Sequence, residues 1–212
     1  MFIELTDHLR CPADHEEAFL VLLPGLIEGR SVRSGTLGCP VCDRRFTIVD
    51  GVLHAGDAPV PPAPATVLGA DALSSLVGLG GPGGYLVLVG PPAAAWREVA
   101  ALTPGVALVA VNPPGEVRDG GGVSVLRSGR LPLKTSSMRG VVLGRPFGGD
   151  PHWVREAARD HGYTTIYWTL DVLDAVGQPK SKEFVLNRVL QSNVNLDGAI
   201  ILMHVDKDGT VA

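Results

Sequence analysis

The chain has no basic stripe. Only 19% of its 212 residues are charged, and the formal net charge is −4. The electrostatic footprint of a nucleic-acid-binding protein is therefore missing. A membrane span is missing too, because the longest apolar stretches are broken by glycine and proline before reaching the ~20 residues a bilayer needs. The first residues, Met1 to Asp7, carry neither the basic start nor the long apolar run of a secretory signal. No Asp-Asp pair occurs, and no two of the 6 histidines lie four apart. Ser136-Ser137 has neither a strand–turn–helix elbow nor a nearby base, so no serine nucleophile is expected. Asp206-Lys207-Asp208-Gly209 starts like a calcium loop but reads as a solvated turn. What remains is ample for a core: 45% of residues are hydrophobic. Gly and Pro, at 27 and 17 residues, stay below the level of a disordered chain.

Cysteine is scarce, yet its 3 copies are not scattered. Cys11-Pro12-Ala13-Asp14-His15 and Cys39-Pro40-Val41-Cys42 form two short knuckles. Zinc takes four tetrahedral ligands, favours thiolate and imidazole, and uses paired knuckles of this kind. His15 is the expected fourth ligand, because imidazole suits a soft site better than carboxylate. Asp14, His8 and His54 are the alternatives. Four protein ligands would close the site and make the zinc structural. The spacing also points to reduced thiols and hence to the cytoplasm.

The expected fold class is α/β: a small zinc ribbon followed by a mostly parallel, Rossmann-like α/β domain. Residues 1–55 read as the ribbon, with strands at 18–23, 45–49 and 52–54 and a turn at Asp50-Gly51. So small a module would take its folding energy from the metal. Residues 56–65 hold four prolines and read as a stiff linker. From 66 to 212 the pattern alternates. A helix is expected from Asp71, then strands at 85–89, 106–111 and 140–143, and helices at 93–102 and from Pro151 to Asp160. A strand at 163–170, a helix capped by Ser181 and a strand at 198–204 complete it. Unbroken apolar strands between helices predict a parallel sheet covered on both faces.

Three resemblances attach to these residues. Leu9-Arg10-Cys11-Pro12, Gly38 to Cys42 and Phe46 to Val52 resemble the zinc-ribbon family of tRNA-methyltransferase activator subunits. That family binds and stabilises methyltransferase partners, so the resemblance implies a protein partner through the ribbon. Thr47 replaces the family's proline, and its fourth cysteine is missing. Residues 66–160 resemble a class I methyltransferase half, through Leu131-Pro132-Leu133-Lys134 and Val141-Val142-Leu143. The resemblance implies S-adenosylmethionine at the turn after the first strand, with Gly90 and Asn112 as the cofactor-binding positions. Yet Gly90-Pro91-Pro92 removes two N–H donors, and Asn112 stands where an acidic residue would hold the ribose. Gly80-Gly81-Pro82-Gly83-Gly84 precedes its strand and reads as a turn.

Residues 161–212 resemble the end of a polysaccharide deacetylase, through Trp168-Thr169-Leu170-Asp171 and Leu202-Met203-His204. This resemblance implies His204 as a catalytic acid and Asp171 as its orienting partner. The family's metal-binding elements, which would hold the attacking water, are absent from the sequence. The expectation is a mosaic chain with structural zinc and a non-catalytic binding or scaffold role. Methyl transfer from S-adenosylmethionine is one alternative, and the remnant of a metal-dependent deacetylase is the other.

Overall fold

The computed structural model describes residues 1–59, 81–161, 170–171, 181–191 and 201–202. They belong to two compact units, Met1–Thr164 and Thr165–Ala212.

In the first unit, eight strands form one sheet. They are β1 (Val21–Glu28), β2 (Ser31–Gly38), β3 (Arg45–Val49), β4 (Val52–Ala55), β5 (Tyr85–Val89), β6 (Ala107–Val111), β7 (Val123–Ser128) and β8 (Gly140–Leu143). Their order is β1-β2-β3-β4-β7-β6-β5-β8. The first four pair antiparallel through hairpins. The remaining pairings are all parallel. The order β7-β6-β5-β8 is the 3-2-1-4 arrangement of a doubly wound sheet, reversing between β5 and β8. This agrees with the α/β reading.

The N-terminal strands are not separated from that sheet. β4 pairs in parallel with β7, Leu53 opposite Leu126 and Ala55 opposite Ser128. The expected divide at 56–65 therefore lies within a unit that runs to Thr164. Of the linker, only residues 56–59 are described. Neither β2 nor β7 was expected, and β1 runs on to Glu28 where the expected strand stopped at residue 23. The short alternation of Val123-Ser124-Val125 follows a glycine-rich loop and gave no strong signal.

Alternation along the central strands feeds two cores. Leu86, Leu88, Leu108, Ala110, Val123 and Val125 pack with Trp96 and Val99 of α1 (Trp96–Leu102). Val87, Val89, Val109, Val111 and Leu126 face the other way, toward Trp153 and Ala157 of α2 (Pro151–His161). Met1, Leu5, Leu9, Leu37, Ile48 and Leu53 extend that second core under the antiparallel strands. Helix α2 starts as expected, with Asp150 Oδ1 accepting the His152 N–H at 2.8 Å.

A buried ion pair ties the N-terminal loop to α2. Arg10 donates from Nε to Leu133 O at 2.8 Å, from Nη1 to Cys11 O at 3.1 Å and from Nη2 to Leu131 O at 3.2 Å. Its Nη2 lies 3.4 Å from Glu156 Oε1, with the two side chains 8% and 7% exposed. Glu156 Oε2 accepts the Leu131 N–H at 2.7 Å.

In the second unit, β9 (Leu170–Asp171) pairs in parallel with β10 (Ile201–Leu202), with α3 (Lys182–Leu190) between them in sequence. Ser181 Oγ accepts the Phe184 N–H at 3.2 Å, the expected cap. Among the described residues, no helix is long and apolar enough to cross a membrane.

Removing Arg10 leaves the buried carbonyls of Leu131 and Leu133 without their donor and leaves Glu156 the longer ion contacts to His152 at 3.6 Å and Arg159 at 3.8 Å. Arg10→Met is expected to cost about 3 kcal/mol or more, measured by equilibrium urea unfolding. A change below 1 kcal/mol would show that the pair contributes little.

Candidate metal centre

Cys11, His15, Cys39 and Cys42 come together, with one ligand atom from each lying within 4.8 Å of all the others. Two loops supply them. The first is a turn between the paired Arg10 and Phe19. There Cys11 N donates to Ala18 O at 2.9 Å and His15 N to Ala13 O at 3.0 Å. The second is the knuckle joining β2 to β3. Cys39 N donates to Arg44 O at 2.9 Å and Asp43 N to Cys39 O at 3.1 Å, while Val41 N points at Cys39 Sγ at 3.4 Å. Asp43 completes the turn with a left-handed φ of 57°.

The distances suit a zinc ion. Bonds of about 2.3 Å to sulfur and about 2.05 Å to nitrogen give tetrahedral edges of about 3.8 Å for S···S and about 3.6 Å for S···N. Cys11 Sγ and Cys42 Sγ are 3.7 Å apart, and Cys39 Sγ and His15 Nε2 are 3.5 Å apart. His15 Nδ1 lies 2.6 Å from Glu16 O. That contact places the proton on Nδ1 and leaves the Nε2 lone pair for a metal.

The thiols differ in acidity. Burial pushes the Cys11 thiol up to about 12, with the Cys39 and Cys42 sulfurs adding to the rise. Burial also opposes ionisation of Cys39. The backbone N–H groups of Cys42 and Val41 and the neighbouring thiols outweigh it and bring Cys39 down to about 7.

The alternative fourth ligands lie elsewhere. Asp14 is 86% exposed and pairs with Arg130 Nη1 at 2.7 Å. The hydrogen bond from Arg130 holds its carboxyl below the usual range. His8 stacks edge-on against Tyr85 at 5.0 Å, and burial lowers its pKa. His54 lies exposed on β4 opposite Thr47. A cleft of about 690 Å³ opens beside the cluster, with His15, Cys42, Arg44 and Arg130 in its walls.

The expected cofactor positions sit at the carboxyl ends of the parallel strands, but neither is free. Gly90 ends β5 with φ 72°, and a Cβ there would come within 2.6 Å of the Phe147 ring. Pro91 and Pro92 are buried, and Gly144 after β8 abuts both of their rings. Phe147 in turn stacks edge-on against Trp153 at 4.7 Å. Phe147 and the two prolines thus crowd the turn after β5 at the strand-order reversal. Asn112 is fully buried. Its Nδ2 donates to Ser128 O at 2.6 Å, and its Oδ1 accepts the Ser128 N–H at 2.9 Å. A smaller cleft of about 380 Å³ remains beside Pro146, Phe147, Trp153 and Asp57. Asp171 lies in β9, and His204 lies outside the described residues.

Compared with protein families, curated proteins and solved structures, the chain matches none. The site therefore stands on its own geometry. Arg10 and Glu156, which brace the Cys11 loop, were not foreseen. They are 146 positions apart, beyond the reach of any local spacing rule.

Ligand thiols must lose their protons to bind metal. With Cys11 at about 12, uptake near neutral pH releases at least one proton. The apparent zinc affinity should fall at least tenfold for each unit from pH 8 to pH 6, read by competition with a chromophoric chelator. A flat profile would exclude Cys11 as a ligand. Asp14→Ala should leave the affinity within about twofold, whereas His15→Ala should weaken it by tenfold or more. The reverse order would make Asp14 the fourth ligand.

Proposed function

We propose that the chain is a zinc-stabilised, non-catalytic binding or scaffold protein working in the reducing cytoplasm. The observation that carries this reading is the convergence of four protein donors on one point. A zinc ion held by three thiolates and an imidazole has no open position for substrate or water, which makes it structural. In this chain it joins the Cys11 turn to the β2–β3 knuckle.

The state of the sheet's carboxyl edge supports the absence of turnover. A doubly wound sheet binds ligands at its switch point, and here Pro91, Pro92 and Phe147 crowd that place. Asn112 spends its carboxamide on Ser128.

A protein partner fits the N-terminal strands. Val21, Leu23 and Leu26 of β1 are 55%, 58% and 50% exposed. They stand opposite Gly38, Thr36 and Ser34, on one face of the sheet. Apolar surface of this kind marks interaction sites.

Methyl transfer from S-adenosylmethionine is the second reading, favoured by the 3-2-1-4 strand order and the remaining 380 Å³ cleft. It is the alternative that the resemblance of residues 66–160 implies. For the deacetylase reading, Asp171 pairs with Leu202 in the β9–β10 ladder, and His204 lies outside the described residues.

Metal analysis of the purified protein should find one equivalent of zinc per chain, lost in Cys39→Ser. Calorimetry with S-adenosylmethionine should show no binding at ligand concentrations up to about 1 mM. Micromolar binding would overturn the non-catalytic reading and favour the second one.

A further inference from the structure

We propose that Cys11 and Cys42 form an oxidation site, a dithiol that hydrogen peroxide converts to a disulfide able to take over the cross-link from the metal. The inference deepens the zinc reading where it concerns release of the ion. The disulfide itself requires only the two sulfurs.

The three thiols are placed differently. Cys11 Sγ and Cys42 Sγ face each other at 3.7 Å, against about 2.05 Å in a disulfide. Side-chain rotation has to close about 1.7 Å. Cys39 Sγ lies within 4.8 Å of both, but it is also held by the Val41 N–H at 3.4 Å and lies 3.5 Å from His15 Nε2, so the Cys11–Cys42 pair is the one with its sulfurs left to each other. Access differs as well. Cys11 and Cys39 are 1% and 3% exposed. Cys42 is half-buried and lines the 690 Å³ cleft, where a small oxidant meets it first.

The chemistry balances. The Cys42 sulfur attacks one peroxide oxygen, the O–O bond breaks, and a sulfenic acid and one water result. The Cys11 sulfur then displaces the hydroxyl as a second water and closes the S–S bond. Two electrons pass from the two sulfurs to the peroxide. From the metal-free dithiol, the thiol protons enter the two waters. From the loaded site, solvent supplies two protons and the ion leaves with its charge.

The outcome differs from that of a bridge within the Cys39–Cys42 knuckle, which would detach that knuckle from the Cys11 turn. A Cys11–Cys42 bridge keeps the two loops joined. Arg10, bonded to Cys11 O, keeps the first loop on α2 through Glu156. Oxidation therefore exchanges one cross-link for another.

The test treats the full chain, zinc-loaded and metal-free, with hydrogen peroxide. A chromophoric chelator follows the ion, and peptide mapping under non-reducing conditions locates the bridge. The expected result is loss of zinc and a Cys11–Cys42 link, with Cys39 alkylated. The bridged protein should melt at least roughly 5 °C above the reduced, metal-free protein. A Cys39–Cys42 link, or sulfinic acid without any bridge, would overturn the proposal. Cys39→Ser should bind zinc poorly and still form the bridge. If that variant does not fold, the metal-free wild-type chain decides. A Cys11–Cys42 bridge in a protein that never retains zinc would uphold this site and remove the metal reading.

Discussion

Two loops with little apolar content of their own are drawn to a single point near the amino end of this chain. The Cys11 turn and the Cys39 knuckle lie 28 positions apart in sequence, yet their donor atoms fall within 4.8 Å of one another. Burial first, and the neighbouring sulfurs after it, resist ionisation of Cys11. A divalent cation would resolve that conflict, because coordination by the sulfurs takes the place of their protons. The knuckle ends β2 and opens β3, and the Cys11 turn precedes β1.

The constraint is passed on to the sheet by two routes. One is the ladder between β4 and β7, which makes the antiparallel strands an extension of the parallel sheet. The other is Arg10, whose guanidinium reaches the carbonyls of Cys11, Leu131 and Leu133 and the carboxylate of Glu156. A buried arginine is costly unless its donors are met. Here they are met by groups from three separate parts of the chain, which fixes the position of the metal loop relative to α2. The cluster and the second core are thereby joined by one continuous set of buried bonds.

Much of the architecture was legible from local patterns. Tyr85–Val89, Ala107–Val111 and Gly140–Leu143 are uninterrupted apolar runs, as buried parallel strands require, and Asp150-Pro151 opens a helix by the usual asymmetry of caps. That Cys11, His15, Cys39 and Cys42 come together was legible from their spacing in two short knuckles. Less legible was β7, whose ends merge with glycine-rich loop and arginine-bearing turn. Its pairing with β4 depends on contacts between residues about 73 positions apart, such as Leu53 and Leu126. The Arg10–Glu156 pair was hidden for the same reason. At Gly90-Pro91-Pro92 the missing N–H donors were readable, but the crowding of that turn by Phe147 emerges only from packing.

The central claim concerns the identity of the four donors around one ion. X-ray absorption at the zinc edge on the loaded protein tests it most directly. The account predicts three sulfurs at about 2.3 Å and one nitrogen at about 2.0 Å, with no oxygen in the shell. A shell rich in oxygen, or one with fewer than three sulfurs, would contradict it.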